Sequence, residues 1–185
     1  IFESFYFSIF GFMKKVAAHK SHNVKGLPVS SSGWDLALTF TSFWLIFGVF
    51  IDGWAHNHII ETIESFFTIW HLVLYTGFFA CAGVIGLRWI LNVRKGYEWR
   101  KALPVGWGVG MVGVFVFLAA GMGDMIWHIV FGVEANVDAL LSPTHLILTL
   151  GGVLIISSPM RSYWLRKDGV DLNKMKNWMP MAVCL

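Results

Sequence analysis

Two sets of Asp and His side chains are the residues of this chain best suited to chemistry. The first set is Asp52, His56 and His71, and the second is Asp124, His128 and His145. In each set the Asp precedes the first His by four residues, so both side chains lie on one face of a helix. In each set the last His stands near the start of the next apolar run. The spacing therefore predicts two Asp and four His that converge at one level.

Imidazole and carboxylate are borderline and hard donors, which together favour copper(II), iron, zinc or manganese over a metal that prefers thiolates. An Asp and a His four residues apart can bind one ion from one helical face. A third ligand from the next helix would complete a facial arrangement and leave positions open for a substrate or oxygen. We therefore interpret the two sets as a metal site, for which copper, iron and zinc are candidate ions.

The elements that carry these residues are membrane spans by composition. The chain has 185 residues, of which 56% are hydrophobic and only 14% charged, whereas a soluble domain carries about 25% charged residues. Four apolar runs reach the roughly 20 residues that a bilayer requires, at 35–55, 66–92, 104–128 and 141–160. Ionisable groups at membrane depth are costly, and they mark function by default.

The positive charges predict the orientation. All 14 Lys and Arg precede the first span, join the second span to the third, or follow the fourth. The positive-inside rule then places both termini in the cytoplasm and the acidic connections 56–65 and 129–140 on the outer side. We expect a prokaryotic inner or plasma membrane, with the metal site toward the periplasm. The basic groups have no aromatic interleaving, so nucleic acid is not an expected partner.

The two halves of the chain can be laid over each other. Asp52 follows Gly33 by nineteen residues, and Asp124 follows Gly106 by eighteen. We therefore predict an all-α integral membrane protein with four transmembrane helices, arranged as two tandem hairpins that arose by internal duplication. The predicted segments are an amphipathic basic segment at 1–34, a first hairpin at 35–92, a basic loop at 93–103, a second hairpin at 104–162, and a basic tail at 163–185. The last residues of this tail are expected to begin a further apolar segment.

Other polar residues are weaker candidates for functional roles. His58, Glu61 and Glu134 are possible secondary ligands, although solvation at the outer surface explains each of them more simply. Asp35 is expected to act as an N-cap at the start of the first span, and Cys81 to serve as a small packing residue. The glycines of the third span include a match to the dinucleotide fingerprint, but no strand precedes it, so they indicate close helix packing instead.

The second set also resembles a known family. Asp124-Met-Ile-Trp-His128, an acidic connection and then Ser142-Pro143-Thr144-His145 are similar to a segment of the C subunit of the copper membrane monooxygenases. That family includes particulate methane monooxygenase and ammonia monooxygenase. The resemblance covers residues 124–145 and implies that Asp124, His128 and His145 bind copper within the membrane.

The leading hypothesis is a membrane metalloprotein that is an oxygenase or a subunit of one, and the catalytic residues stay unknown. Three alternatives are open. The chain could handle or transport metal ions, or bind its neighbours as a structural subunit through its polar residues. It could also belong to a haem- or quinone-linked complex, with His71 and His145 as axial ligands, although the nearby aspartates favour a non-haem ion. Partners would be the bilayer and either other membrane subunits or further copies of the chain.

Overall fold

The computed structural model describes residues 26–59, 67–132 and 141–165, and all regular structure in these ranges is helical. The helices are α1 (Ser32–His58), α2 (Ile69–Arg94), α3 (Gly108–Phe131), α4 (Pro143–Ile156) and α5 (Ser158–Trp164), with a short 3-10 turn at Trp99–Lys101. Helices α1, α2 and α3 are each long and apolar enough to cross a membrane, and so is the run Pro143–Trp164 formed by α4 and α5. The prediction of four membrane-type helices is confirmed.

The third span begins later than predicted. The apolar run starts at residue 104, but α3 begins at Gly108. Pro104 precedes Gly106, whose φ of 87° lies in the left-handed region, so the chain turns here before the helix can start. A side chain on Gly106 would also meet the backbone of Ser162, with its Cβ 2.5 Å from the amide nitrogen.

The fourth span is broken, which the sequence analysis did not predict. Helix α4 ends at Ile156 and α5 begins at Ser158, with Pro159 in its first turn. Proline has no N–H to donate within a helix, and its ring clashes with the carbonyl one turn earlier. The fourth run therefore consists of two helical pieces.

Glycines allow the helices to approach closely. Helix α1 packs mainly on α2, and α3 mainly on α4. A Cβ on Gly77 would lie 2.7 Å from the backbone nitrogen of Leu45, and a Cβ on Gly151 would lie 2.7 Å from that of Phe117. Gly113 is also close to the α4 backbone, 2.7 Å from the Gly151 carbonyl oxygen by the same measure. The prediction of close packing by glycines of the third span is confirmed at Gly113.

At the end of the bundle away from the histidines, Asp35 has a different role from the one predicted. The N-cap of α1 is Ser31, and Asp35 lies within the first turn. Its side chain is buried, and it accepts hydrogen bonds from Trp107 Nε1 at 3.1 Å and from Ser162 Oγ at 3.4 Å. A carboxylate that has left water needs such donors. Asp35 thus joins the start of α1 to the residue before α3 and to α5.

Two arginines complete this end. The guanidinium of Arg161 donates to the carbonyl oxygens of Gly106 at 3.2 Å and Leu154 at 2.7 Å. Arg88 is buried. It donates to the Val29 carbonyl at 3.4 Å and lies over the Trp34 ring at 5.5 Å. Both arginines therefore donate hydrogen bonds to backbone carbonyl groups at this end of the bundle.

The close contact at Gly77 generates a stability prediction. Gly77→Ala places a methyl group against the α1 backbone, so we expect a loss of about 1–3 kcal/mol of stability. Thermal unfolding in detergent measures the effect. Gly83→Ala is the matched control, because nothing lies within 4 Å of a Cβ at Gly83. Equal unfolding temperatures for the two variants would contradict the packing argument.

Candidate metal centre

Six side chains gather where α1 and α3 end and α2 and α4 begin. They are the members of the two predicted sets: Asp52, His56, His71, Asp124, His128 and His145. Five of them are buried, and His145 is partly buried. The prediction that the two Asp and four His converge at one level is confirmed in its geometry.

In the first set one carboxylate faces two imidazoles. Asp52 Oδ1 lies 3.4 Å from His71 Nε2, and Asp52 Oδ2 lies 3.9 Å from His56 Nε2. Asp52 and His56 come from successive turns of α1, as their spacing predicts. His71 approaches from α2, so the contact depends on the packing of two helices.

The second set has the same layout. Asp124 Oδ2 lies 3.4 Å from His128 Nε2, and Asp124 Oδ1 lies 3.5 Å from His145 Nδ1. Thr144 adds a hydrogen bond from its Oγ1 to Asp124 Oδ1 at 2.8 Å. Ser142 Oγ lies 2.7 Å from His145 Nδ1, which orients the ring. An ion bound through His145 Nε2 would leave that contact intact.

Helix capping places the last histidine of each set. Thr68 is the N-cap of α2, and its Oγ1 accepts a hydrogen bond from the His71 amide at 3.2 Å. Ser142 is the N-cap of α4, and its Oγ accepts from the His145 amide at 3.5 Å. Pro143 occupies the first helical position, where its missing N–H costs nothing. Ser142 is therefore a typical N-cap residue.

The two sets are not separate in space. The rings of His56 and His128 stack, with centroids 5.8 Å apart and planes inclined by 13°. His56 also lies 5.9 Å from the His145 ring, and His128 lies 6.0 Å from the His71 ring. Imidazoles of each set therefore contact those of the other.

The donor atoms fit a metal ion in groups of three. Within each group the donors lie no more than 4.8 Å apart, and the groups are Asp52–His56–His71, His71–Asp124–His128 and His56–His128–His145. Two donors bound to one ion at about 2.0–2.1 Å with tetrahedral angles are roughly 3.3 Å apart. The two Asp–His separations of 3.4 Å, from Asp52 to His71 and from Asp124 to His128, are near that value. Two of the three groups combine residues from both sets.

The local charge favours a cation. Two buried carboxylates lie here, and the Lys and Arg side chains in the described ranges are near the other end of the helices. Arg88, for example, follows His71 by seventeen residues of α2, which is about 25 Å along a helix. The N-termini of α2 and α4 contribute partial positive charge, and the C-termini of α1 and α3 partial negative charge. A divalent ion would neutralise the two carboxylates.

His58 lies outside the cluster. It is exposed, its ring stacks on Trp54 at 5.1 Å, and its Nδ1 lies 2.9 Å from the Trp54 carbonyl. His56 and His58 point apart, as expected for residues two apart on a helix. The other possible ligands, Glu61 and Glu134, lie outside the described residues.

Two neighbours of the cluster were not predicted as functional residues. In the sequence, Thr144 was considered only as part of the Ser-Pro-Thr-His run. Its position directly before the candidate ligand could have indicated its role. Tyr75 follows His71 by one helical turn, and their rings are 6.3 Å apart. That spacing of four residues could have identified it.

Together, the fold and this cluster define a membrane-type helical protein with buried Asp and His groups that could hold a metal ion. No known protein family, curated protein or solved structure matches the chain.

The Thr144 hydrogen bond generates a prediction about ion affinity. Groups that orient a metal ligand typically contribute 10–100-fold to affinity, so we expect Thr144→Val to weaken binding of copper(II) by about that factor. Competition with a chelator of known affinity measures the change. Thr149→Val, on an exposed face of the same helix, is the matched control. Equal affinities in both variants would show that Asp124 needs no help from Thr144.

Proposed function

We propose that this chain is an integral membrane metalloprotein whose Asp and His cluster binds copper near the outer face, as an oxygenase or as a subunit of an oxygenase complex. The observation that carries the proposal is the convergence of two carboxylates and four imidazoles from four helices. Imidazole suits copper, iron and zinc alike, and copper is preferred because of the family resemblance. Asp52, His56, His71, Asp124, His128 and His145 are the proposed ligands.

The orientation in the membrane is part of the proposal. Both termini would lie in the cytoplasm, because the connections at the histidine end carry no Lys or Arg. The cluster would then lie toward the periplasm of a prokaryotic cell. The exposed faces of the helices are rich in large apolar side chains, which supports contact with lipid and with further copies or other subunits.

Duplication of a helical hairpin would account for the matched geometry. Gly77 and Gly151 each follow the last His of their set by six residues. Their close partners, Leu45 and Phe117, each precede the Asp of their set by seven. The two N-caps, Thr68 and Ser142, are equivalent as well. These correspondences support two tandem hairpins related by an axis along the membrane normal.

The oxygenase part of the proposal rests on the resemblance of residues 124–145 to the C subunit of copper membrane monooxygenases. In that reading the ion activates oxygen, and the apolar bundle admits a small apolar substrate such as a hydrocarbon or ammonia. Three protein donors around one ion would leave coordination positions open for such ligands.

A haem with His71 and His145 as axial ligands is a weaker proposal. His128 lies beside both of these rings, at 6.0 Å from each, and the stacked His56 occupies the same space. A flat macrocycle between His71 and His145 would have to displace them. The two aspartates also favour a small ion over a haem.

Metal content tests the proposal directly. We expect detergent-purified protein to hold copper, or iron, at one to two ions per chain by mass spectrometry. The double variant His128→Ala/His145→Ala should lose it, because two of the three donor groups contain at least one of these residues and the His56 ring of the third group stacks on His128. His58→Ala is the matched control, since His58 lies outside the cluster, and it should retain the metal.

Absence of metal from the wild type, after gentle purification and reloading with copper, would overturn the proposal. A visible spectrum recorded on the same sample separates a haem from a bound ion. Unchanged metal content in the double variant would show that His128 and His145 are not ligands and would leave Asp52, His56 and His71 as the remaining donor group.

A second expectation concerns the two halves. Because two of the three donor groups combine both sets, replacing one histidine of either set should affect the whole centre. We expect His56→Ala and His128→Ala each to lose more than half of the bound copper. If each variant kept half of the wild-type content, the two sets would be independent sites.

A further inference from the structure

Tyr75 lies on the inner side of the cluster, one helical turn deeper in α2 than His71. Its ring is 6.3 Å from the His71 ring on one side and 6.3 Å from the Phe117 ring on the other. Phe117 stacks in turn on Phe78, with centroids 4.6 Å apart. Tyr75 therefore stands between the polar cluster and an aromatic core.

The hydroxyl of Tyr75 reaches across to α3. A Cβ on Gly121 would lie 2.7 Å from Tyr75 Oη, and Gly121 precedes Asp124 by one turn. The hydroxyl thus lies about one helical turn below Asp124, on the side of the cluster that faces the middle of the bundle.

This feature is not repeated in the second half. The residue four after His145 is Thr149, which is exposed, and the residue three before Asp52 is Val49. The glycine and the tyrosine together therefore make one face of the cluster different from the other. A buried tyrosine hydroxyl usually takes part in a hydrogen bond. Gly121 has no side chain, so it leaves space for the hydroxyl of Tyr75.

We propose that Tyr75 binds the small exogenous ligand of the metal centre, a water, hydroxide or similar small anion, by donating a hydrogen bond to it from the membrane-interior side. This inference rests on the proposed metal site and adds its ligand face. Gly121 allows the hydroxyl to occupy this position, because it has no side chain there. The ligand face then lies between α2 and α3, toward the apolar core.

Azide is the probe for this inference. The copper(II)-loaded protein is titrated with sodium azide, and binding is followed by the azide-to-copper charge-transfer absorption. A hydrogen bond to a charged group contributes about 1.5–3 kcal/mol, so Tyr75→Phe should weaken azide binding about 10-fold or more. Its copper content should equal that of the wild type. Tyr97→Phe, just beyond the opposite end of α2, is the control and should bind azide normally.

A second pair of variants moves the hydroxyl without removing it. Gly121→Ala places a methyl group against Tyr75 Oη and should weaken azide binding as Tyr75→Phe does. Gly123→Ala is its control, because the nearest atom to a Cβ there is Thr144 Cγ2 at 3.7 Å. Gly123→Ala should bind azide with wild-type affinity.

The possible failures are distinguishable. Wild-type protein that takes up no copper overturns the metal proposal and this inference with it. Copper-loaded wild type that binds no azide, or Tyr75→Phe with full copper content and unchanged azide affinity, overturns only the role of Tyr75. Loss of copper from Tyr75→Phe also overturns it, because the hydroxyl would then support the ligands themselves.

Discussion

The burial of two carboxylates at one end of an apolar bundle is the constraint on which this structure depends. A carboxylate removed from water is costly unless donors or cations replace its hydration. Asp52 and Asp124 each direct their two oxygens at two imidazoles, 3.4–3.9 Å away. The caps of α2 and α4 bring the last histidines to the carboxylates. The positions of four helix ends therefore depend on the contacts that stabilise the two buried carboxylates.

At the opposite end of the bundle, a buried carboxylate is stabilised by different partners. There one buried carboxylate, Asp35, accepts hydrogen bonds from an indole and a hydroxyl, while Arg88 and Arg161 donate to backbone carbonyls. Hydrogen bonds between neutral and charged groups hold this end together. At the histidine end the partners are titratable imidazoles that also bind metals. Because of this difference in donor chemistry, the Asp35 end has a structural role, whereas the histidine end is a candidate metal centre.

Between the two ends, glycine contacts determine how the helices lie. Gly77 against Leu45 and Gly151 against Phe117 bring the paired backbones together. A wider separation would move His71 away from Asp52 and His145 away from Asp124. The packing of small residues in the middle of the bundle is therefore a condition for the geometry of the cluster. The same principle places Tyr75, because only a glycine at position 121 leaves room for its hydroxyl.

The sequence by itself determined the helical class, the four apolar runs and the six polar residues of the cluster. Those features are local, since they depend on apolar length and on i,i+4 spacing within single helices. The tertiary structure decided that the two sets mix, that His58 lies outside, and that Asp35 contacts Trp107 and Ser162 rather than capping α1. It also revealed the break at Pro159 within the fourth run and the position of Tyr75 Oη against Gly121. These features depend on contacts between helices, which the spacing along one helix cannot specify because it contains no information about how that helix packs on its neighbours.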